Sequence, residues 1–393
     1  MRIVIEATAA LSGGKVYLVN LLPQLAALAP RHEFIVFHTA DLDAPSLKIA
    51  NPNFTFRAVN LPASNERNWL LVSLFKLCWR LLIFPFHLKK LQADVVFSNT
   101  GFGPLWRPRN VKFVLALHNS IPFQPELQKE ERSFIRQLRL LGLHWLIDLT
   151  LRQGDKAIVF SEDLRTLVCA RSKKLVNAVV IYHGIDWGER ERHSLDDVSF
   201  LATYGVKPPY FLYVSQFHRY KNVPRLVEAF GKLKSHRSLA ASDISLVMIG
   251  KTTDNAYETE IAQCIDRLGL HKSVRMIPGL KRERLIAFYR FAESFVYPSL
   301  IENCPFAVLE AMALGVPIAA SRLNALGEMA DDAAIYFDPL SVDEMAKAME
   351  RLIWDEDLRG ELSQKAIAQA AKFTWEKTAR QTLAVFEQLA GKH

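Results

Sequence analysis

The chain has 393 residues, 50% of them hydrophobic and 23% charged, with a formal net charge of +8 and a pI near 9.2. Those values exclude a disordered chain, and the length points to two domains. The positive charge favours phosphates, nucleotides or acidic lipid as partners, while the lack of a long basic tract or an RNA-type aromatic motif argues against nucleic acid.

In chain order, "MRIVIEATAALSGG" has no long apolar core and reads as a strand and loop, not a signal peptide. "RIVIEA" predicts a strand, "GGKVYLVNLLPQLAALA" a helix and "EFIVFHT" a second strand. "DLD" at residues 41–43 follows no convincing strand and reads as a loop, not a metal motif. Residues 68–91, "NWLLVSLFKLCWRLLIFPFHLKKL", are very apolar but contain Lys76, Arg80 and Pro85, which argue against a membrane span. Two readings stay open: an interfacial helix on an anionic membrane surface, or a buried core helix with a basic edge. "ADVVFSN", "KFVLALH", "KAIVFS" and "NAVVIYHGI" complete a first strand–helix cycle.

A second cycle begins with "YFLYVSQ" and continues through "ISLVMIG", "VRMIPG", "SFVYPS" and "VPIAAS", with helices between. Alternating strands and helices predict two Rossmann-like α/β domains with doubly wound parallel sheets, residues 1–195 and 196–371. Residues 372–393 form a last amphipathic helix that could pack on either domain. The four cysteines, Cys78, Cys169, Cys264 and Cys304, make no CxxC or Cys/His cluster, so no zinc site or disulfide framework is expected and a reducing cytoplasm fits.

Open parallel sheets bind ligands beyond the carboxyl ends of their strands, so the chemistry should sit just after strands. Gly13 and Gly14 follow the first strand and let backbone approach a phosphate or sugar; a plain tight turn is the simpler alternative. His118 ends "KFVLALH" and could bind a hydroxyl or phosphate, although a lone histidine is more often structural. Gln216, His218, Arg219 and Lys221 follow the strand "YFLYVSQ"; the cations suit a diphosphate, or form a solvated basic loop. In "SLIENCPFAVLEAMALGVPIAAS", Glu302 lies in a strand-to-helix loop and Glu310 more than one turn into the helix. Amides at 303–306 can face an anion at the helix N-terminus. A glycosidase pair would need both carboxylates to flank one bond; a loop and a helix glutamate suit the two ends of one nucleotide-sugar instead.

Taken together, the motifs resemble retaining glycosyltransferases of the GT-B type, glycosyltransferase family four (group 1), over nearly the whole chain. The most specific segment is "ENCPFAVLEAMALGVPIAAS"; "YVSQFHRYKN", "HGID", "VRMIPGL", "FTWEKTARQTL", the early "GG" and the histidine of "ALHNSIPF" follow in the family's order. The resemblance implies two facing domains, with the last helix crossing back onto the first. It implies hexose transfer from a nucleotide diphosphate sugar to an acceptor hydroxyl, with retention, front-face attack and no metal or other cofactor. It makes Lys221 the diphosphate ligand and Glu310 the ribose ligand. Glu302 and the amides of Asn303, Cys304, Pro305 and Phe306 would hold the transferred sugar and its phosphate, Pro305 contributing backbone only. Gly14, with Gly13, would approach the diphosphate, His118 the sugar near the reacting carbon, and the backbone at Gly279 and Leu280 the base. The family's usual arginine is Gln216 here, with Arg219 nearby as a substitute cation, and the usual glycine-rich loop is Asn303, Cys304 and Pro305. The acceptor expected is a glycan or lipid-linked glycan of cell-surface polysaccharide or lipopolysaccharide type, at the inner face of the cytoplasmic membrane. The rivals are a GT-B epimerase or phosphorylase and a non-catalytic nucleotide-sugar-binding protein.

Overall fold

The structure is a computed structural model. It describes residues 1–8, 12–40, 42, 49, 51–61, 69–120, 123–124, 134–171, 177–185, 196–236, 243–252 and 254–391. Asp41 and Asp43 of "DLD", Asn68 and Asp186 lie outside the described residues. The chain forms two compact units, Met1–Gly184 with Phe373–His393, and Ile185–Lys372. The expected boundary at residue 195 lies outside the described residues, and the units part at Gly184.

The first unit is built on a seven-stranded sheet in the order β3-β2-β1-β4-β5-β6-β7. Its strands are β1 (Arg2–Ala7), β2 (Glu33–His38), β3 (Phe54–Ala58), β4 (Val95–Ser98), β5 (Lys112–Leu117), β6 (Lys156–Val159) and β7 (Ala178–Val180). Every pairing is parallel. Parallel strands covered on both faces read as near-continuous apolar runs, as "RIVIEA" and "KFVLAL" do. The edge strand β3 alternates buried and exposed positions and carries Arg57, which is why its sequence signal is weak. The Trp375–Leu389 helix belongs to this unit: Phe386 meets Phe97 of β4 at 5.4 Å, and Thr378 Oγ1 donates to Tyr182 O at 2.8 Å. Gly184 has no room for a side chain, since a Cβ would come within 2.2 Å of Trp375 N.

The second unit carries a six-stranded parallel sheet, β10-β9-β8-β11-β12-β13. These strands are β8 (Tyr210–Val214), β9 (Ser245–Ile249), β10 (Val274–Ile277), β11 (Ser294–Tyr297), β12 (Ile318–Ser321) and β13 (Ala334–Phe337). The Phe306–Ala313 helix starts from Pro305 as its cap residue, and Gly315 follows with φ +69°, the left-handed conformation glycine tolerates best.

Residues 69–91 form a helix (Trp69–Cys78), a five-residue π turn (Trp79–Ile83) and a second helix (Phe84–Leu91) that run on without a break. Lys76 and Arg80 are buried, at 2% and 6% exposure, so the two cations in this apolar run point into the unit.

Candidate functional site

In each sheet the strand order reverses once, between β1 and β4 and between β8 and β11. Such a switch point leaves a crevice at the carboxyl ends of the two strands. Several of the sequence-selected residues fall at or beside these two places.

In the second unit, Lys221 ends the short 3-10 turn Arg219–Lys221 after β8, and Glu302 lies in the loop after β11. Lys221 Nζ forms an ion pair and hydrogen bond with Glu302 Oε1, and their side chains are only 9% and 8% exposed. Nζ also donates to the Tyr297 hydroxyl at 2.8 Å and lies 5.0 Å from the Tyr297 ring centroid. Burial, reinforced by Glu302, holds the Tyr297 phenol far above its ordinary range, so it is neutral. Three further bonds fix this arrangement. Leu300 N donates to Tyr220 O at 2.7 Å, and Asn222 Nδ2 reaches Pro298 O at 3.1 Å and Pro339 O at 2.7 Å. Asn222 adopts φ +61°, which asparagine tolerates well.

Asn303 and Cys304 are buried, so this part of the loop offers backbone more than side chains. It leads through Pro305 to Phe306 at the helix N-terminus, where first-turn amides lack intrahelical acceptors. Glu310, one turn further, accepts from the Tyr289 hydroxyl at 3.2 Å and lies 3.6 Å from Arg282 Nε. Burial pushes its carboxyl up, opposed by Arg282 and the Tyr289 hydrogen bond. An acceptor group held this way suits neutral hydroxyls.

The other residues selected in this unit are placed differently. Gln216 is exposed. The Arg219 guanidinium is bound to Glu260 at 2.7 Å, lies 3.6 Å from Asp254 and sits over the Tyr257 ring at 4.9 Å, so its charge is engaged locally. Gly279 is exposed with open space around it and Leu280 is half-buried, both just past β10.

In the first unit, Gly13 and Gly14 lie in the first turn of the Ser12–Leu28 helix. Asn99, immediately after β4, connects two of the selected positions: its Nδ2 donates to Gly14 O at 3.1 Å, and its Oδ1 lies 2.8 Å from His118 Nε2. Because Oδ1 can only accept, His118 Nε2 carries the proton. The ring stacks on Phe160 at 4.5 Å, with the His183 ring 4.1 Å from Phe160 and the Tyr17 ring edge-on to His118 at 5.1 Å. Burial pushes His118 down to about 3 and His183 also far down, the latter helped by His118, so both imidazoles are neutral near pH 7.

Asn99, Asn222, Tyr289 and Tyr297 were not singled out by sequence. The tyrosines look like core residues in a strand and a helix. Asn99 had a usable signal, a polar residue directly after the strand "VVFS" at a switch point. Among the described residues, no group of three or more His, Cys, Asp or Glu is placed to hold a metal ion.

Residues 203–372 match the family model Glycosyl transferases group 1. An O-antigen chain mannosyltransferase B from Escherichia coli is 28% identical over 181 residues, 46% of this chain and 46% of that protein. The chain spans about half the length of the curated relatives it matches, or less. Two solved structures share the fold over essentially the full length. One is a sucrose-phosphate synthase from Thermosynechococcus elongatus (TM-score 0.75, 19% identity, covering 100% of this chain and 99% of that one). The other is Alr3699/HepE from Anabaena, solved with UDP and glucose (TM-score 0.74, 17% identity, covering 99% and 100%). The chain therefore has the two Rossmann-like domains of the GT-B architecture, and its residues 203–372 are similar to the group 1 glycosyltransferase domain.

Proposed function

We propose that the protein is a retaining glycosyltransferase that moves a hexose from a nucleotide diphosphate sugar to an acceptor hydroxyl. The observation that carries this reading is the buried Lys221–Glu302 pair at the β8/β11 switch point, next to a helix N-terminus. A lysine held there by a carboxylate and a phenol is a fixed cation for a diphosphate. Glu302 then orients the sugar, Glu310 takes the ribose hydroxyls, the 303–306 backbone meets the phosphate, and Gly279 and Leu280 flank the base. In the first unit, the backbone at Gly13 and Gly14 suits a phosphate, and neutral His118, with Asn99, suits sugar hydroxyls.

In the step itself the acceptor oxygen bonds to the anomeric carbon as the carbon–oxygen bond to the diphosphate breaks, on one face, and the departing phosphate oxygen takes the acceptor proton. Lys221 and helix amides stabilise the charge that develops, so the reading requires no metal. The mannosyltransferase relative is named for O-antigen chains, which supports an acceptor in cell-surface polysaccharide or lipopolysaccharide-type synthesis, lipid-linked and met at the inner face of the cytoplasmic membrane.

A panel of nucleotide sugars read by thermal shift tests the donor assignment, since a ligand of the folded state raises its stability. The expected result is a shift with one or a few of them; no shift across the panel contradicts it. A second reading, donor binding without turnover, is favoured by Gln216 at the usual arginine position and by Arg219 being tied to Glu260. Release of nucleoside diphosphate on adding acceptor supports transfer; donor binding with no release under any acceptor supports the second reading.

A further inference from the structure

The 21-residue segment Leu71–Leu91 is long and apolar enough to cross a membrane: an 18-residue window in it has mean hydropathy 1.5, yet 39% of that window is buried within the protein. Its two sides differ. Leu71, Leu74, Phe75, Leu82 and Phe86 form one stripe at helical spacing, each more than half exposed and Phe86 at 63%. The opposite stripe holds Val72, Lys76, Trp79, Arg80, Phe84 and Leu88, all buried. The segment is thus apolar on both sides, with two buried cations among the inner residues, whereas an ordinary surface helix keeps its outward side polar.

A second element joins the exposed side. Leu105 N donates to Leu81 O at 3.3 Å, and the Trp106 ring meets Phe86 edge-on at 5.1 Å. Lys89 and Lys90 are exposed at the end of the stripe, and the chain's net charge is +8. A contiguous apolar ridge with a tryptophan and a basic rim is complementary to an anionic bilayer surface.

The inner side is fixed to the strand ends. Arg80 Nε donates to Thr8 Oγ1 at 3.1 Å and lies 3.4 Å from Glu6 Oε1. Glu6, 1% exposed, also accepts from Thr8 N at 2.8 Å, Thr100 Oγ1 at 2.8 Å and Ser98 Oγ at 3.3 Å. Between Ser98 and Thr100 stands Asn99, whose side chain holds Gly14 O and His118. Turning this segment across a bilayer would pull Arg80 off Glu6 and leave a buried carboxylate without its cation.

We propose that this stripe with Trp106 lies flat on an anionic lipid surface, and that Arg80 is the positioning residue through which the docked segment steadies Asn99 and the glycine turn. The inference extends the reading of a lipid-linked acceptor, but its readouts are vesicle binding and amide exchange, so it can fail while the donor assignment stands.

The test is flotation with phosphatidylglycerol/phosphatidylcholine vesicles, followed by hydrogen exchange. The wild type is expected to float with anionic vesicles, far less with phosphatidylcholine alone, and to be released by alkaline carbonate. Phe75→Ser/Phe86→Ser is expected to lose at least tenfold in binding with an unchanged Tm. Docking is expected to slow exchange at amides 71–86 and also at 13–20 and 99–103. In Glu6→Gln/Arg80→Gln, which leaves no unpaired charge, the first protection stays and the second is lost. Absence of vesicle binding, undiminished binding by the serine variant, carbonate-resistant insertion, or a dimer that buries the stripe overturns the surface. Equal protection of 13–20 and 99–103 in the double variant, or none in the wild type, overturns the role of Arg80.

Discussion

The two switch points put different side chains after their strands. In the second unit a charged pair, Lys221 and Glu302, sits at the strand ends with a second carboxylate, Glu310, one helical turn inside. In the first unit an amide and two imidazoles that burial keeps neutral stand after the strands, close to the buried Arg80–Glu6 pair. The two sheets share a parallel, once-reversed strand order, so the difference comes from side chains after the strands, not from the fold. A fixed cation suits a diphosphate; neutral amide and imidazole groups suit sugar hydroxyls.

The contrast breaks most sharply at Lys221. Lys221→Gln is expected to lower kcat/KM for transfer about ten- to a hundredfold or more, since a charge-assisted hydrogen bond contributes about 1.5–3 kcal/mol. Near-normal turnover would remove it from the phosphate role. Glu302→Gln is expected to abolish most transfer and to lower the Tm, because it removes the counter-charge of a nearly buried ammonium while keeping a hydrogen-bond acceptor. Glu302→Ala is expected to lower the Tm as well, because it strands a nearly buried ammonium; an active Glu302→Gln enzyme would count against the sugar assignment.

The neutral half makes a prediction about pH. His118 has a folded pKa of about 3, below the unfolded value of about 6.5. The unfolded chain therefore takes up the proton first, and stability falls as pH drops below about 6.5, by up to about 1.4 kcal/mol per pH unit for each such histidine. His183 acts in the same direction. Denaturant titrations at pH 7 and pH 5 should show the loss, and His183→Phe should shrink it; a stability independent of pH in this window would show that the imidazoles are not held neutral.

Smaller effects sharpen the picture. Tyr297→Phe removes one neutral acceptor from Lys221 and should cost about two- to tenfold in kcat/KM. A Cβ at Gly14 would meet Asn99 Nδ2 at 3.2 Å, a contact tight enough to displace the amide slightly. Gly14→Ala should therefore raise the donor KM a fewfold with little change in Tm.

Much of this was legible from strand–turn–helix punctuation. "YFLYVSQ" and "SFVYPS" mark β8 and β11, and the polar residues after them are Lys221 and Glu302. Edge strands β3 and β13 were not legible, because less burial leaves weaker apolar runs. Tyr297 and Tyr289 were hidden by looking like packing residues; only the fold shows their hydroxyls aimed at Lys221 and Glu310. Arg219 looked like a replacement for the missing arginine, but sequence could not reveal its nearer partners, Glu260 and Asp254, which lie on another helix and at its cap. Lys76 and Arg80 count against a span in any reading, but that Arg80 faces inward depends on the buried Glu6 at the end of β1.

The most direct test of the charged half is calorimetric titration of nucleoside diphosphates into the wild type and Lys221→Gln. The account predicts that the best-bound diphosphate loses at least tenfold in affinity on this substitution, in a protein that still unfolds cooperatively but at a lower Tm because Glu302 loses its cation. Equal affinity in the two proteins, or no diphosphate binding by the wild type, would contradict it.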